Sequence, residues 1–289
     1  MNRIYSTLAI LATAAAFTAC EDVIDVEVPK GKVMPVVDAW LTDEPGAQSV
    51  RITETVPYTS QAPAPVVTDA VVTITDLTEN KTYNFTFADG KYTHNPGAGI
   101  SIGKLNHAYK LRVELKQQVY EAIDTIKRVP AIDSITYEFK KAEDSGSGEE
   151  GYYARFHGRD LGGATDYYWI RSYRTTKDNR VADGFAVDGS FSENVSDSSI
   201  FIVPISESIT RWDKPFQLHE TIIVRLAAVT KPTHTFLVHV NNQLNNGGLF
   251  AKILENVKSN ILNTNTGSQE RVLGWFGASS VTFREKKVE

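Results

Sequence analysis

The residues able to do chemistry in this chain are few and widely spaced. A single cysteine, Cys20, stands among 289 residues, so no disulfide can form within the chain. A reactive thiol or metal thiolate there would need folded, electropositive surroundings. The six histidines, His94, His107, His157, His219, His234 and His239, show no H-E-x-x-H or comparable ligand spacing. His234 and His239 are five apart, which places them on different faces of a helix and favours a structural or solvent role over zinc. No G-x-S-x-G elbow occurs, and "GRDLGG" (158–163) lacks the strand and helix flanks of a phosphate loop. Carboxylates are plentiful, but a catalytic pair is a matter of geometry that spacing cannot give. The residues therefore imply no catalytic centre, no metal and no cofactor. What they do offer is aromatic surface. "DYYWIRSY" holds Tyr167, Tyr168, Trp169 and Tyr173, and "LGWFGASS" holds Trp275 and Phe276. In strands, alternate members of such runs pack into a core; the other reading makes Trp169, Trp275 and Phe276 candidate ligand-binding residues.

The position of Cys20 carries more information than its chemistry. "MNRIYSTLAILATAAAFTA" (1–19) has one charge, Arg3, then an apolar, small-residue run that ends against the cysteine. This is the layout of an export signal. The acidic residues Glu21 and Asp22 follow too early for a membrane span of about 20 residues. Phe17-Thr18-Ala19-Cys20 is similar to a bacterial lipoprotein signal, cleaved before a cysteine that is then acylated. On that reading Cys20 is the lipidation site, residues 20–32 form an acidic tether, and palmitate-type acyl chains hold the protein on a membrane.

Charge narrows the partners. The formal net charge is −5, from 30 basic and 35 acidic side chains, and no Lys/Arg-rich run occurs. Nucleic acid, whose phosphates demand a basic face, is excluded as a partner.

The elements that must position any site are strands. "VRITETVPY" (50–58), "AVVTITDL" (70–77) and "KTYNFTF" (81–87) alternate with period two, the last placing Tyr83, Phe85 and Phe87 on one face. Asp89-Gly90 supplies a hairpin turn, and "AYKLRVEL" (108–115) and "VYEAIDTI" (119–126) form a second hairpin about Lys116-Gln117-Gln118. The pattern predicts a mostly β protein: an immunoglobulin- or transthyretin-like sandwich over 33–129, then a second antiparallel β domain over 130–289. In that second unit "IDSITYEFKK" (132–141) and "YYARFHG" (152–158) flank the glycine-rich loop 142–151. Further strands are expected in 165–175, in "SIFIVPI" (199–205) and in 220–229. One helix is expected near 233–246, with Phe236, Leu237, Val240 and Leu244 on one face, Pro232 in its first turn and Gly247-Gly248 after its end.

Three stretches carry a resemblance: "VVDAWLTDEPGAQSVRITETVPY", "YKLRVELKQQVYEAIDTIKRVPAIDSI" and "NVKSNILNTNTGSQERVLGWFGASSV". In order and spacing they are similar to the Bacteroidota lipoprotein family catalogued as domain of unknown function 4249. The resemblance spans nearly all of the chain after Cys20. It implies an outer-membrane lipoprotein encoded beside a TonB-dependent receptor, and hence an accessory binding role in nutrient uptake with that receptor as partner. The alternative is an adhesive or structural envelope lipoprotein with no transport partner. In the same bacterial group, carboxylates behind the lipidated cysteine resemble a surface-export signal, which Glu21, Asp22, Asp25 and Glu27 fit; the other reading is a solvated spacer. Asp124-Thr125-Ile126 and Asp133-Ser134-Ile135 resemble that group's O-glycosylation motif, against the preferred reading of ordinary strand residues.

Overall fold

The computed structural model describes residues 31–57, 60–193, 197–246 and 256–289. The expected anchor Cys20, the acidic residues Glu21, Asp22 and Asp25, and Gly247-Gly248 lie outside the described residues. Val33–Glu289 forms one compact unit, and it is mostly β.

Among the described residues, seven strands precede residue 130: β1 (Pro35–Thr42), β2 (Gln48–Glu54), β3 (Val71–Asp76), β4 (Lys81–Ala88), β5 (Lys91–His94), β6 (Ala108–Leu115) and β7 (Gln118–Thr125). Their turns follow from local chemistry. Asp89 and Gly90 both take positive φ, 52° and 76°, the conformation of a two-residue hairpin turn. Lys116 and Gln117 do the same at 49° and 63°, so Gln118 joins β7 rather than the turn. β4 bends: Lys81–Phe85 pairs with β3, while Thr86–Ala88 pairs with β5. Joined through β4, the ladder β1-β2-β5 and the ladder β3-β6-β7 contribute to one core built on Leu41, Ile52, Ile74, Tyr92, Tyr109 and Leu111.

The remaining strands are β8 (Ile132–Lys140), β9 (Gly151–Gly158), β10 (Tyr167–Arg174), β11 (Arg180–Val187), β12 (Thr221–Val229), β13 (Leu262–Asn263) and β14 (Leu273–Lys287). β8 and β9 pair as an antiparallel ribbon across the glycine-rich loop. The others continue the large sheet, whose order is β11-β10-β12-β14-β1-β2-β5-β4-β3-β6-β7-β13. Residue 130 falls between the two main cores, since Ile126 belongs to the first and Ile132 to the second. β14 belongs to both. Its first half, Leu273–Ser279, runs parallel to β1, and its second half, Ser280–Lys287, runs antiparallel to β12. Phe276 and Ala278 thereby fill the first core, and Val288 just beyond β14 fills the second.

The sheet β11-β10-β12-β14 is covered on both faces. Tyr168, Ile170, Val224 and Leu226 pack toward the β8-β9 ribbon and a four-residue helix, α1 (Val203–Ser206). The segment 199–205 thus differs from the strand expected there: Ile200 makes one isolated bridge to Arg159, and Val203 begins the helix. Pro204 lacks the N–H a ladder needs and suits a helix start. On the opposite face lies α2 (Lys231–Leu244), the expected helix, with Pro232 in its first turn. Thr233 and Leu237 are its buried side chains, one turn apart. Leu244, expected on the same apolar face, is 81% exposed because the last turn runs past the packed strands.

Candidate functional site

Period-two alternation decides what β10 presents to each side. Tyr168 and Ile170 enter the second core; Trp169 and Arg171 face the other way. On β12, Ala227 stands opposite Trp169 and Arg225 opposite Arg171. Trp40 of β1 reaches the same face because its register partner on β14 is Gly277, where a Cβ would collide with the indole. The small residues Ala227 and Gly277 let the two indoles meet, with ring centroids 5.1 Å apart and planes inclined by 50°.

A cleft of about 330 Å³ opens here, walled by Trp40, Trp169, Arg171 and Arg225 and rimmed by Glu44 of the β1–β2 turn and Gln48 at the start of β2. The Arg171 guanidinium lies 3.9 Å from the Trp169 ring centroid, and that of Arg180 lies 5.1 Å away, both within cation–π range. Arg225 pairs with Glu44, and Lys177 approaches Glu44 at 3.8 Å. Trp169 Nε1 donates to Asp183 Oδ1 at 2.6 Å, an oxygen that also pairs with Arg180. Trp40 Nε1 donates to Asp38 Oδ1 at 2.7 Å. Burial pulls both Arg171 and Arg225 below the ordinary guanidinium range, with Asp43 opposing the shift at Arg225. Asp43 itself is pushed up by burial against a hydrogen bond from Val281 N at 2.8 Å.

Of the three aromatics singled out in the sequence, Trp169 lines this cleft and is 8% exposed. Trp275 and Phe276 are elsewhere. Trp275 stacks on Phe236 of α2 at 4.3 Å and donates from Nε1 to Thr233 Oγ1 at 3.0 Å. Phe276 is fully buried in the first core. Trp212 is 66% exposed and lines a separate surface recess of about 430 Å³ with Tyr153, Arg155 and Glu207.

The fold gathers one set of potential metal ligands that spacing does not reveal. Asp76, Glu79 and His107 bring their ligating atoms within 4.8 Å of one another. Those atoms are already engaged. Asp76 Oδ1 accepts from Thr78 N and Glu79 N, Oδ2 meets His107 Nδ1 at 2.7 Å, and Glu79 Oε1 accepts from Lys104 Nζ at 2.5 Å. Burial pushes the Asp76 carboxyl up, but the bonds from His107, Glu79 and Thr78 together hold it below its ordinary value. The arrangement caps the β3–β4 turn. His234 packs against Tyr167 and Phe185, while His239 is exposed. In "GRDLGG", buried Asp160 accepts from Tyr168 OH at 2.5 Å and ties that loop to β10.

Asp124, in one of the two glycosylation-like tripeptides, is a buried crosslink. Its Oδ1 accepts from Thr230 Oγ1 at 2.7 Å and Thr125 N at 2.9 Å; its Oδ2 accepts from Thr233 Oγ1 at 2.8 Å and Ala278 N at 3.0 Å. One carboxylate thus joins β7, α2 and β14.

Residues 21–285 match the model of a family described as Domain of unknown function (DUF4249). The chain belongs to this family. No curated protein matches this DUF4249 chain. Among its described residues, no helix is long and apolar enough to cross a membrane.

Sequence reasoning missed Trp40, Arg171 and Arg225. A signal was present: Arg171 follows the aromatic run "YYWI", and Arg225 interrupts the apolar run of "TIIVRLAAV". A strand covered on both faces has no solvent side for a charge.

Proposed function

We propose that this DUF4249 protein is a lipid-anchored outer-membrane protein, displayed on the cell exterior, that serves as an accessory binding component of a TonB-dependent nutrient uptake system. The observation that carries the reading is the lone Cys20 at the end of an export-type apolar segment, ahead of a compact β unit that starts at Val33. The acidic residues Glu21, Asp22 and Asp25 act as the surface-export signal. Family membership supports the setting, and a cleft walled by two indoles and two guanidiniums suits binding rather than turnover.

The test is affinity retrieval of the tagged protein from mildly solubilised native membranes, followed by mass spectrometry. A co-purifying outer-membrane β-barrel receptor is expected. Recovery without a barrel rejects the uptake role and leaves an adhesive or structural envelope protein. Cys20→Ala should move the protein out of the membrane fraction, and protease added to intact cells should cleave the wild type.

A further inference from the structure

On neighbouring antiparallel strands, Arg171 lies directly opposite Arg225. Like charges in that register repel, so the pair costs stability unless something between them is negative. The protein's own carboxylates do not complete the job. Glu44 serves Arg225 and faces Lys177 as well. Asp183, opposite Arg171 on β11, acts on it by charge but gives its Oδ1 to Arg180 and the Trp169 indole, and Asp38 accepts from the Trp40 indole. Asp43 also attracts Arg225, while its Oδ1 accepts from Val281 N. Among the described residues, Arg171 has no ion pair with a carboxylate. The Nε atoms of Arg171 and of Arg225 are both buried with no hydrogen-bond partner. A buried donor left unmade costs on the order of 1–3 kcal/mol, so both arginines are held here at a cost to the fold, and the parts of their side chains that line the cleft are what an acceptor would meet.

The chemistry of that acceptor follows from the walls. A guanidinium presents a planar fork that matches a carboxylate with two parallel hydrogen bonds. Arg225 forms an ion pair with Glu44, whereas Arg171 has only the charge of Asp183 opposite it on β11, an oxygen of which is shared with Arg180 and the Trp169 indole; the two guanidiniums together leave room for one more negative charge. The tilted indoles of Trp40 and Trp169 offer an apolar wall for a flat or hydrocarbon body, and about 330 Å³ admits a small molecule.

We propose that the cleft between Trp40, Trp169, Arg171 and Arg225 binds a small organic carboxylate, its carboxylate seated between the two guanidiniums and its apolar part against the two indoles. This goes beyond the receptor-partner reading and stands without it, since it concerns the isolated protein.

The experiment is calorimetric titration of the full chain, purified in detergent, with benzoate, its neutral isostere benzamide, and inorganic phosphate. Saturable benzoate binding near or below about 1 mM, with no benzamide binding, is the expected result. Arg171→Met should weaken benzoate at least tenfold, and Arg171→Lys, which keeps the charge but loses the fork, should weaken it less. Ligand-free Arg171→Met should melt at or above the wild-type temperature, because it removes the repulsion and an unmade buried bond. Equal binding of benzoate and benzamide, binding of phosphate alone, or no saturable heat up to about 10 mM overturns the proposal. So does an Arg171→Met protein that melts well below wild type, which would make Arg171 a structural partner of Trp169. None of these results bears on whether a barrel co-purifies.

Discussion

Replacing Asp124 tests how the two halves of the molecule are joined. Its carboxylate accepts four hydrogen bonds, two from hydroxyls of α2 and its entry and two from backbone N–H groups of β7 and β14. In Asp124→Ala the hydroxyls of Thr230 and Thr233, 3.1 Å apart, can re-aim toward each other. The Ala278 and Thr125 N–H groups cannot. Each buried unmade donor costs about 1–3 kcal/mol, the Ala278 donor toward the upper end because it is fully buried. Removing a carboxylate from a site where burial pushes its pKa up recovers part of this. A net loss of about 3 kcal/mol is the result, which for a chain of this size is a fall of about 6–12 °C in Tm. Asp124→Asn should fall between the two proteins. Whichever way its amide turns, one of the two backbone N–H groups faces an NH2. The pH dependence has a definite sign. With the folded pKa above the unfolded one, Asp124 contributes most below the ordinary carboxylate range, and the contribution is lost as pH rises through the folded value. The wild-type advantage over Asp124→Asn should therefore be larger at pH 4 than at pH 8. Thermal unfolding followed by near-UV circular dichroism at both pH values is the assay. An Asp124→Ala protein within about 2 °C of wild type refutes the crosslink.

Two further outcomes follow from packing. Gly274 has φ +97° and lies against the backbone of Val37, so Gly274→Ala should destabilise by about 3 kcal/mol or more, visible as a lowered urea midpoint; an unchanged midpoint removes the claim that β1 and β14 need this close approach. Trp169→Ala and Trp275→Ala should each cost about 3–5 kcal/mol, whereas Trp212→Ala at an exposed site should stay within about 0.5 kcal/mol; chemical denaturation of the three variants separates buried from surface tryptophan.

The hairpins were legible because their information is local. Alternation in "KTYNFTF" and the left-handed pair Asp89-Gly90 each specify a strand or a turn within a few residues. β14 was not legible as a strand joining two cores, because nothing in "LGWFGASSVTFREKK" states that its first half will meet residues 36–42 and its second half residues 221–228. The segment 199–205 misled for the opposite reason: its β-branched residues speak for a strand locally, and one proline overrides them. The site divides along the same line. Trp169 was visible as an aromatic, but its neighbours come from positions 40 and 227, and only register brings them together.

That convergence also bears on how the cleft would work. The turn carrying Glu44, and Gln48 just after it, are held by hydrogen bonds. Asp43 N donates to Ser279 O at 3.2 Å, and Asp43 Oδ1 accepts from Val281 N at 2.8 Å. Gln48 spans the turn, accepting from Thr42 N at 3.0 Å and donating to Glu44 O at 3.2 Å. The Arg225–Glu44 pair then closes the rim across 181 residues of sequence. Trp40 is held in place by Gly277 beneath it and by Asp38 at its Nε1. Trp40, Arg225 and the rim are therefore fixed by contacts that exist without a ligand. Binding to walls already in place has little ordering cost to overcome, so a small ligand with one charge and a modest apolar body has enough contacts to be held. A site assembled from loose loops would need a larger one.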